Sequence, residues 1–411
     1  MTDGTDAMRV LMINQVFYPD VAATAQHGHD LAQYLVANGH QVTAITSRSF
    51  YGAKGASLPR NETVDGIEIR RVGQSFFGKS SIIARVADFV YFYMAATIKA
   101  ITLPKHDVVI CFTTPPFLGV AGWLLRLLKG TKCVNWVMDL FPDLPVVCGV
   151  VKENSLRTRF LEHLNRWCMR RANVNVVLGR CMRDRVIAKG IDPEKVRMIG
   201  VWSDQEEVSP IDPEHNHYRE QWAIGDRMLV MYSGNYGLGH DVYTFLNAAL
   251  ELKDDDRIRF AFVGGGKKKG QVEEFVREHQ LEKTCTLAPF QPRAQLDELL
   301  SAGDIHLASL LEGNEGIMVP SKLFGILAVG RPALFIGSDR SEIARVIAEN
   351  DCGSTIRQGD SDELVRVILR YADHPEERRA AGERARQALI REHSTTIRCK
   401  AWLDLLEEIT H

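Results

Sequence analysis

Short, wholly apolar runs alternate along this chain with segments whose apolar residues recur every third or fourth position. Arg9 to Asn14 reads as a strand, and Thr24 to Ala37 follows with Ala25, Leu31, Ala32, Leu35 and Val36 at helical spacing. Asn38-Gly39 ends that helix, because glycine takes the left-handed cap conformation at little cost. Gln41 to Thr46, Asp107 to Phe112 and Cys133 to Met138 predict further strands, and Pro115-Pro116 turns the chain into a helix ending near Lys129. Asn173 to Leu178 and Val196 to Gly200 close the first half. Fully apolar strands separated by helices predict a parallel sheet covered on both faces.

The pattern lapses at Ser203 to His217, an acidic stretch with Pro210 and Pro213 that reads as a linker. It resumes with strands at Met228 to Ser233, Arg259 to Val263, Ile305 to Ser309, Ala333 to Ile336 and Gly353 to Ile356. Thr395 to Ile409 carries Trp402, Leu403, Leu405, Leu406 and Ile409 on a helical period. A chain of 411 residues suits two domains, each with its own core. The expectation is an α/β protein with two parallel-sheet domains, 1–205 and 206–394, facing across a cleft. Ligands of such sheets bind outside the carboxyl ends of the strands.

Composition narrows the classes. Hydrophobic residues are 45% and charged residues 25%, and the formal net charge is −2, so nothing draws the whole chain to nucleic acid. The eight cysteines stand singly, which argues against zinc ribbons and thioredoxin-like sites and suits a reducing cytoplasm. Met1 to Ala7 is polar and reads as a loose leader, not a signal peptide. Ser81 to Leu103 is rich in apolar residues, but Arg85, Asp88 and Lys99 interrupt it. Its uncharged centre, Phe89 to Ile98, is shorter than the roughly 18 residues a spanning helix needs, so a core or interface-lying helix is expected.

Candidate chemistry gathers at strand ends. Glu315-Gly316-Ile317-Met318-Val319-Pro320-Ser321-Lys322 lies between a strand and a helix. Gly316 permits close backbone approach, Pro320 and Ser321 suit a helix start that favours phosphate, and Lys322 adds a point charge for a diphosphate. The glycine-rich Ser233-Gly234-Asn235-Tyr236-Gly237-Leu238-Gly239-His240 is a second phosphate candidate, with His240 as donor to a phosphate oxygen. Val263-Gly264-Gly265-Gly266 is placed to frame a base or ribose. In the first half, Phe17 to Thr24, with Tyr18, Asp20 and Thr24, and Asp139-Leu140-Phe141-Pro142-Asp143 face the same gap. A carboxylate such as Asp139 orients a hydroxyl or acts as a base, and it is equally a common helix cap. Asp254-Asp255-Asp256 mimics a metal-binding run but reads as a turn, and no metal-ligand set is predicted.

These motifs, in this order, resemble the retaining family-4 glycosyltransferases of the GT-B fold, in the branch that assembles O-antigen, colanic acid and other bacterial envelope polysaccharides. Phe17 to Gln26 with Gly39-His40-Gln41-Val42, Thr113-Thr114-Pro115-Pro116, and Asp139 to Asp143 resemble its first-domain segments. Ser233-Gly234-Asn235, Val263 to Gly266, and Pro320-Ser321-Lys322 with Gly330-Arg331-Pro332 resemble its donor half. The resemblance implies two Rossmann-like domains, the first completed by the helix over 395–411, and a nucleotide-diphosphate-sugar, UDP-linked, held mainly by the second. It implies catalytic roles for Asp139, Lys322 and His240. Donor contacts would come from Gly234, Asn235, Gly264, Gly265, Gly266, Phe290, Glu315, Gly316, Ile317 and Ser321, and acceptor-side contacts from Tyr18, Asp20 and Thr24. No cofactor or metal is implied, and the acceptor would be a glycan or polyprenyl-diphosphate-linked glycan at the inner face of the cell membrane. The sequence departs from the family at the paired glutamates of the donor motif, whose positions hold Ile317 and Gly325, leaving Glu312 or Glu315 as substitutes. His240 stands where the phosphate loop usually has lysine. A nucleotide-sugar epimerase of the same fold and a non-catalytic transferase partner are the alternatives.

Overall fold

The computed structural model describes residues 7–50, 58–74 and 82–410, without the side chains of 82–85. Met1 to Asp6 of the leader, and Ser81, lie outside the described residues. The chain divides into two compact units. One comprises Met1–Val146, Val151–Gly200 and Thr396–His411; the other comprises Val147–Val150 and Val201–Thr395. The main change of unit falls at Val201, slightly ahead of the break expected after 205.

The first unit is built on β1 (Arg9–Ile13), β2 (Gln41–Ser47), β3 (Asn61–Val64), β4 (Ile67–Val72), β5 (Val108–Cys111), β6 (Lys132–Val137), β7 (Val174–Val177) and β8 (Val196–Met198). They form an 8-stranded sheet in the order β3-β4-β2-β1-β5-β6-β7-β8. The ladders are parallel except for β3 with β4, which are antiparallel. β1 is central, with Val10 beside Val42 on one side and Val108 on the other. Periodicity missed the β3–β4 hairpin because β3 is a half-exposed edge strand. The available signal was Asp65-Gly66, whose positive φ values of 50° and 78° make the tight hairpin turn.

The second unit has β9 (Met228–Asn235), β10 (Ile258–Gly265), β11 (Cys285–Ala288), β12 (Ile305–Ser309), β13 (Ala333–Ile336) and β14 (Gly353–Ile356), ordered β11-β10-β9-β12-β13-β14. Every ladder in it is parallel. β11, four residues at the edge and only partly covered, left no periodic trace. The expected linker carries a 3-10 turn at Pro213–His215 and runs into a short helix at His217–Gln221. The core pairs Val230, Tyr232, Phe260 and Phe262 of β9 and β10 with Phe245 and Leu246 of the covering helix.

The helix over Thr395–Thr410 packs on the first sheet. Trp402 and Trp136 are both fully buried with ring centroids 4.5 Å apart, and Phe112 lies 4.7 Å beyond Trp136. Truncating a buried tryptophan removes its contacts and leaves a cavity, so Trp402→Ala is expected to cost about 3–5 kcal/mol in urea unfolding of the first unit. A loss under about 1 kcal/mol would show that the last helix is not anchored there.

Candidate active site

In the second sheet the strand order reverses between β9 and β12, so the loops leaving their carboxyl ends, 236–242 and 310–321, border the crevice where such sheets bind ligands. The glycine motifs are partly strand. Gly234 and Asn235 pair with Gly264 and Gly265 as the last rungs of the β9–β10 ladder. At Gly264 φ is +137°, and a β-carbon there would fall 1.9 Å from the Gly234 carbonyl oxygen. At Gly266 φ is +132°, and a β-carbon would lie 2.4 Å from Asn235 Oδ1. These glycines let the two turns touch each other. Tyr236 N–H donates to the Gly265 carbonyl at 2.7 Å and Lys268 N–H to the Tyr236 carbonyl at 2.9 Å. Lys268 Nζ also bonds the His240 carbonyl. Phe290, 61% exposed, covers Gly265.

Lys322 is the first residue of the helix Lys322–Ala328. Its Nζ is shielded from solvent, donates to no partner among the described residues, and sits 3.6 Å from the centroid of the Tyr232 ring. The space it occupies is left by Gly234, whose β-carbon would lie 3.3 Å from Lys322 Cε. Burial lowers its pKa from 10.5 to about 7. The ring face favours the ammonium, yet no anion neutralises it. The helix has only seven residues, so the lysine, more than a helix dipole, supplies the positive charge.

His240 is buried, with Nδ1 2.6 Å from the Ser309 carbonyl oxygen. Burial, then the nearby Lys322, lowers its pKa to about 3. The ring is therefore neutral near pH 7, and Nδ1–H donates to Ser309. Its remaining nitrogen, Nε2, presents a lone pair. With Nδ1–H bonded to Ser309, the neutral ring has Nε2 left as an acceptor.

Sequence reasoning passed over Asn314. Its side chain is fully buried, and neither Oδ1 nor Nδ2 has a hydrogen-bond partner. Nδ2 lies 3.8 Å from where a β-carbon on Gly239 would stand, beside His240. The Tyr236 hydroxyl is likewise buried and unpartnered, and the Tyr236 ring stacks on Tyr232 at 4.9 Å. Buried polar atoms without a protein partner call for water or a ligand to satisfy them. The signal in the sequence was an asparagine inside Glu312-Gly313-Asn314-Glu315-Gly316.

The remaining donor-side candidates divide. Gly316 has φ +73° and turns the loop. Ile317 is fully buried in the hydrophobic interior. Glu315 is half-buried and accepts from the Gly313 N–H at 2.9 Å, which makes it part of the loop's own bonding. Ser321 precedes the helix without a side-chain capping bond. At Gly325 a β-carbon would press on Leu300 Cδ1 at 3.1 Å.

In the first unit, Asp139 follows β6, and its backbone N–H lies 3.3 Å from Thr113 Oγ1. Burial raises its pKa from 3.8 to about 6. Tyr18 stacks on His29 at 4.8 Å, and its carbonyl accepts from the buried Arg71 at 2.8 Å. Asp20 Oδ1 accepts from the Ala22 N–H at 2.9 Å, holding the entry to the helix Ala23–Ala37, where Thr24 is half-buried. Among the described residues no three His, Cys, Asp or Glu side chains gather to hold a metal. Asp255 is instead paired with Arg257 at 2.8 Å before β10 begins.

Comparison with known proteins agrees with this geometry. Residues 23–202 match the glycosyl transferase 4-like domain, and residues 215–388 match the glycosyl transferases group 1 domain. The chain belongs to the glycosyltransferases, with the GT-B fold. It is 31% identical to the probable glycosyltransferase WbjE of Pseudomonas aeruginosa over 64% of this chain and 66% of that protein, just under two thirds of its length. It is 25% identical to the putative colanic acid biosynthesis glycosyl transferase WcaI of Escherichia coli K12 over 82% and 86% of the two chains. Among solved structures, sucrose-phosphate synthase from Thermosynechococcus elongatus shares the fold with a TM-score of 0.79 at 15% identity, over 98% and 99% of the chains. Anabaena Alr3699/HepE in complex with UDP-glucose does so at 0.72 and 12%, over 98% and 100%.

The Asp139 carboxyl has a testable energetic signature. Its folded pKa lies above the unfolded value, so the ionised carboxylate opposes folding above about pH 6, and that cost disappears below about pH 4. Asp139→Asn is expected to raise stability by roughly 1–3 kcal/mol at pH 8 and to add nothing at pH 4. Denaturation midpoints at the two pH values check this, and equal changes at both would contradict it.

Proposed function

We propose that the protein moves a hexosyl or N-acetylhexosaminyl group, with retained anomeric configuration, from a UDP-sugar to a glycan or polyprenyl-diphosphate-linked glycan in bacterial envelope polysaccharide assembly. The observation that carries the donor reading is the buried, unneutralised Lys322 ammonium at the β9–β12 crevice. A diphosphate supplies the missing anion. Relatives named for colanic acid and amylovoran biosynthesis, and the fold shared with a protein solved with UDP-glucose, support the pathway and donor class.

In this reading Lys322 stabilises the leaving diphosphate as charge develops on it. His240 Nε2 and Asn314 hold hydroxyls of the transferred sugar, and Asp139 orients the acceptor or the reacting sugar. Positioning and fixed charge supply the rate enhancement without a metal. Activity in a radiolabelled transfer assay is expected to persist in EDTA; loss with recovery on manganese would contradict the metal-free reading. Donor binding should weaken above about pH 7, as the free lysine gives up its proton, by up to about tenfold per pH unit. Lys322→Ala should cost roughly 1.5–3 kcal/mol in donor binding near pH 7 and flatten that dependence. Calorimetry showing unchanged affinity in a folded variant would sink the assignment.

The same proposal places the protein peripherally on the inner membrane face, docked through its first unit. No described helix is long and apolar enough to cross a membrane. The helix Ile82–Thr102 nevertheless exposes Val86, Val90, Met94 and Ile98, one per turn, and Leu127 and Leu128 are exposed on the neighbouring helix Gly119–Lys129. Phe160 is exposed on the next helix, Leu156–Arg171, among exposed Arg157, Arg159 and Arg170. An apolar stripe flanked by arginines suits an anionic headgroup layer. Lys129, at the end of the helix Gly119–Lys129, donates to carbonyls at the end of the helix Ile82–Thr102, including Ile101 at 2.6 Å. Flotation with anionic liposomes should carry the protein upward, less so at high salt. Val90→Asp with Met94→Asp should leave it at the bottom; flotation unchanged by that pair would refute docking through this face.

A further inference from the structure

The second unit holds a cavity of about 600 Å³ that takes no part in the site above. Asp304 and Pro332 line it, and these residues immediately precede β12 and β13, so it lies at the amino ends of the strands. Lys322, His240 and Asn314 lie beyond the carboxyl ends. One wall is the helix Pro375–Ala388, which comes so close to the turn at Gly330 that a β-carbon on Gly382 would stand 2.2 Å from the Gly330 carbonyl oxygen. The volume falls within the roughly 300–1,000 Å³ of small-molecule sites.

The charge on this lining is unbalanced. Arg331, Arg378, Arg379 and Arg386 face only Asp304 and Glu383. Asp304 is shared: one oxygen pairs at 2.8 Å with Arg219, which lies outside the cavity lining, and the other stands 3.9 Å from Arg378 Nη2. The four guanidinium groups are fixed mainly by carbonyls. Arg331 donates to Gly303 at 2.9 Å and Ser301 at 3.1 Å, and Arg386 to Gln205 at 2.8 Å and Val208 at 3.2 Å. Arg378 uses Nη1 on the Tyr371 carbonyl at 3.0 Å, and Arg379 uses Nε on the Pro375 carbonyl at 3.3 Å. Carbonyls hold a guanidinium in place without cancelling its charge. The result is a recess in which four guanidinium groups outnumber two carboxylates, one of them shared with Arg219, a surplus of positive charge that suits phosphate.

We propose that this cavity is a second ligand site, which binds a soluble phosphate-bearing small molecule independently of the donor crevice, with the phosphate on Arg378 and Arg379. The probe is inorganic pyrophosphate, titrated calorimetrically into the full chain carrying Lys322→Gln, so that binding at the donor crevice is weakened. Binding is expected to persist there and to fall about tenfold or more when Arg378→Gln and Arg379→Gln are added. Glu383→Gln, at an exposed position, removes an opposing charge and should tighten pyrophosphate binding severalfold without touching the arginine anchors. Loss of all pyrophosphate binding in Lys322→Gln alone would overturn the proposal. So would an affinity unmoved by the arginine pair in a folded protein, and, should that pair not fold, an affinity unmoved by Glu383→Gln. None of these readings depends on which sugar nucleotide the donor crevice takes.

Discussion

The carbonyl oxygen of Gly234 occupies the place where a β-carbon on Gly264 would have to go, and the carboxyl-end architecture of the second unit is arranged around that contact. Because the ends of β9 and β10 touch, the chain leaves both strands in tight turns. The turn after β9 then runs back across β12, where the Leu311 N–H meets the Gly239 carbonyl at 2.9 Å. Gly234, itself without a side chain, leaves the volume that Lys322 fills above Tyr232. Any side chain at Gly264 would separate the two strand ends and move the turn that carries His240.

What that packing creates is a set of polar atoms that the protein leaves unsatisfied. Among the described residues, the Lys322 ammonium, both polar atoms of the Asn314 amide and the Tyr236 hydroxyl are buried without hydrogen-bond partners, and His240, its Nδ1–H donating to Ser309, keeps a lone pair on Nε2. Each costs folding free energy of the kind a bound ligand restores. The arginine cavity at the other end of the sheet differs in kind: its cations are held mainly by carbonyls and outnumber the carboxylates beside them. One end of the sheet thus waits for hydrogen-bond partners and an anion, and the other for an anion alone.

Much of this was legible in the sequence where one residue type has one physical use. The buried strands β1, β5, β9 and β12 announced themselves as apolar runs, and Trp402 on a helical period foretold a helix with a core to join. Lys322 stood out as a charge beside a helix start. The edge strands β3 and β11 did not, because short, half-covered strands need no apolar pattern. That packing between two turns requires Gly264 and Gly266 was not legible, since the sequence does not say what a missing side chain makes room for. The tautomer of His240 was hidden for a related reason: it rests on the Ser309 carbonyl, far away in the chain and invisible as a side chain. Asn314 looked like an ordinary loop residue until the fold buried it.

Lys322 is a buried lysine with no hydrogen-bond partner among the described residues, and in the proposed function the donor diphosphate supplies its anion. Its amine can be titrated directly by NMR on selectively labelled lysine, with Lys322→Arg used to assign the signal. The account predicts a pKa near 7 in the free protein and a rise of at least about two units with saturating UDP-sugar. An ordinary lysine pKa in the free protein, or a depressed one that the nucleotide leaves unmoved, would contradict it.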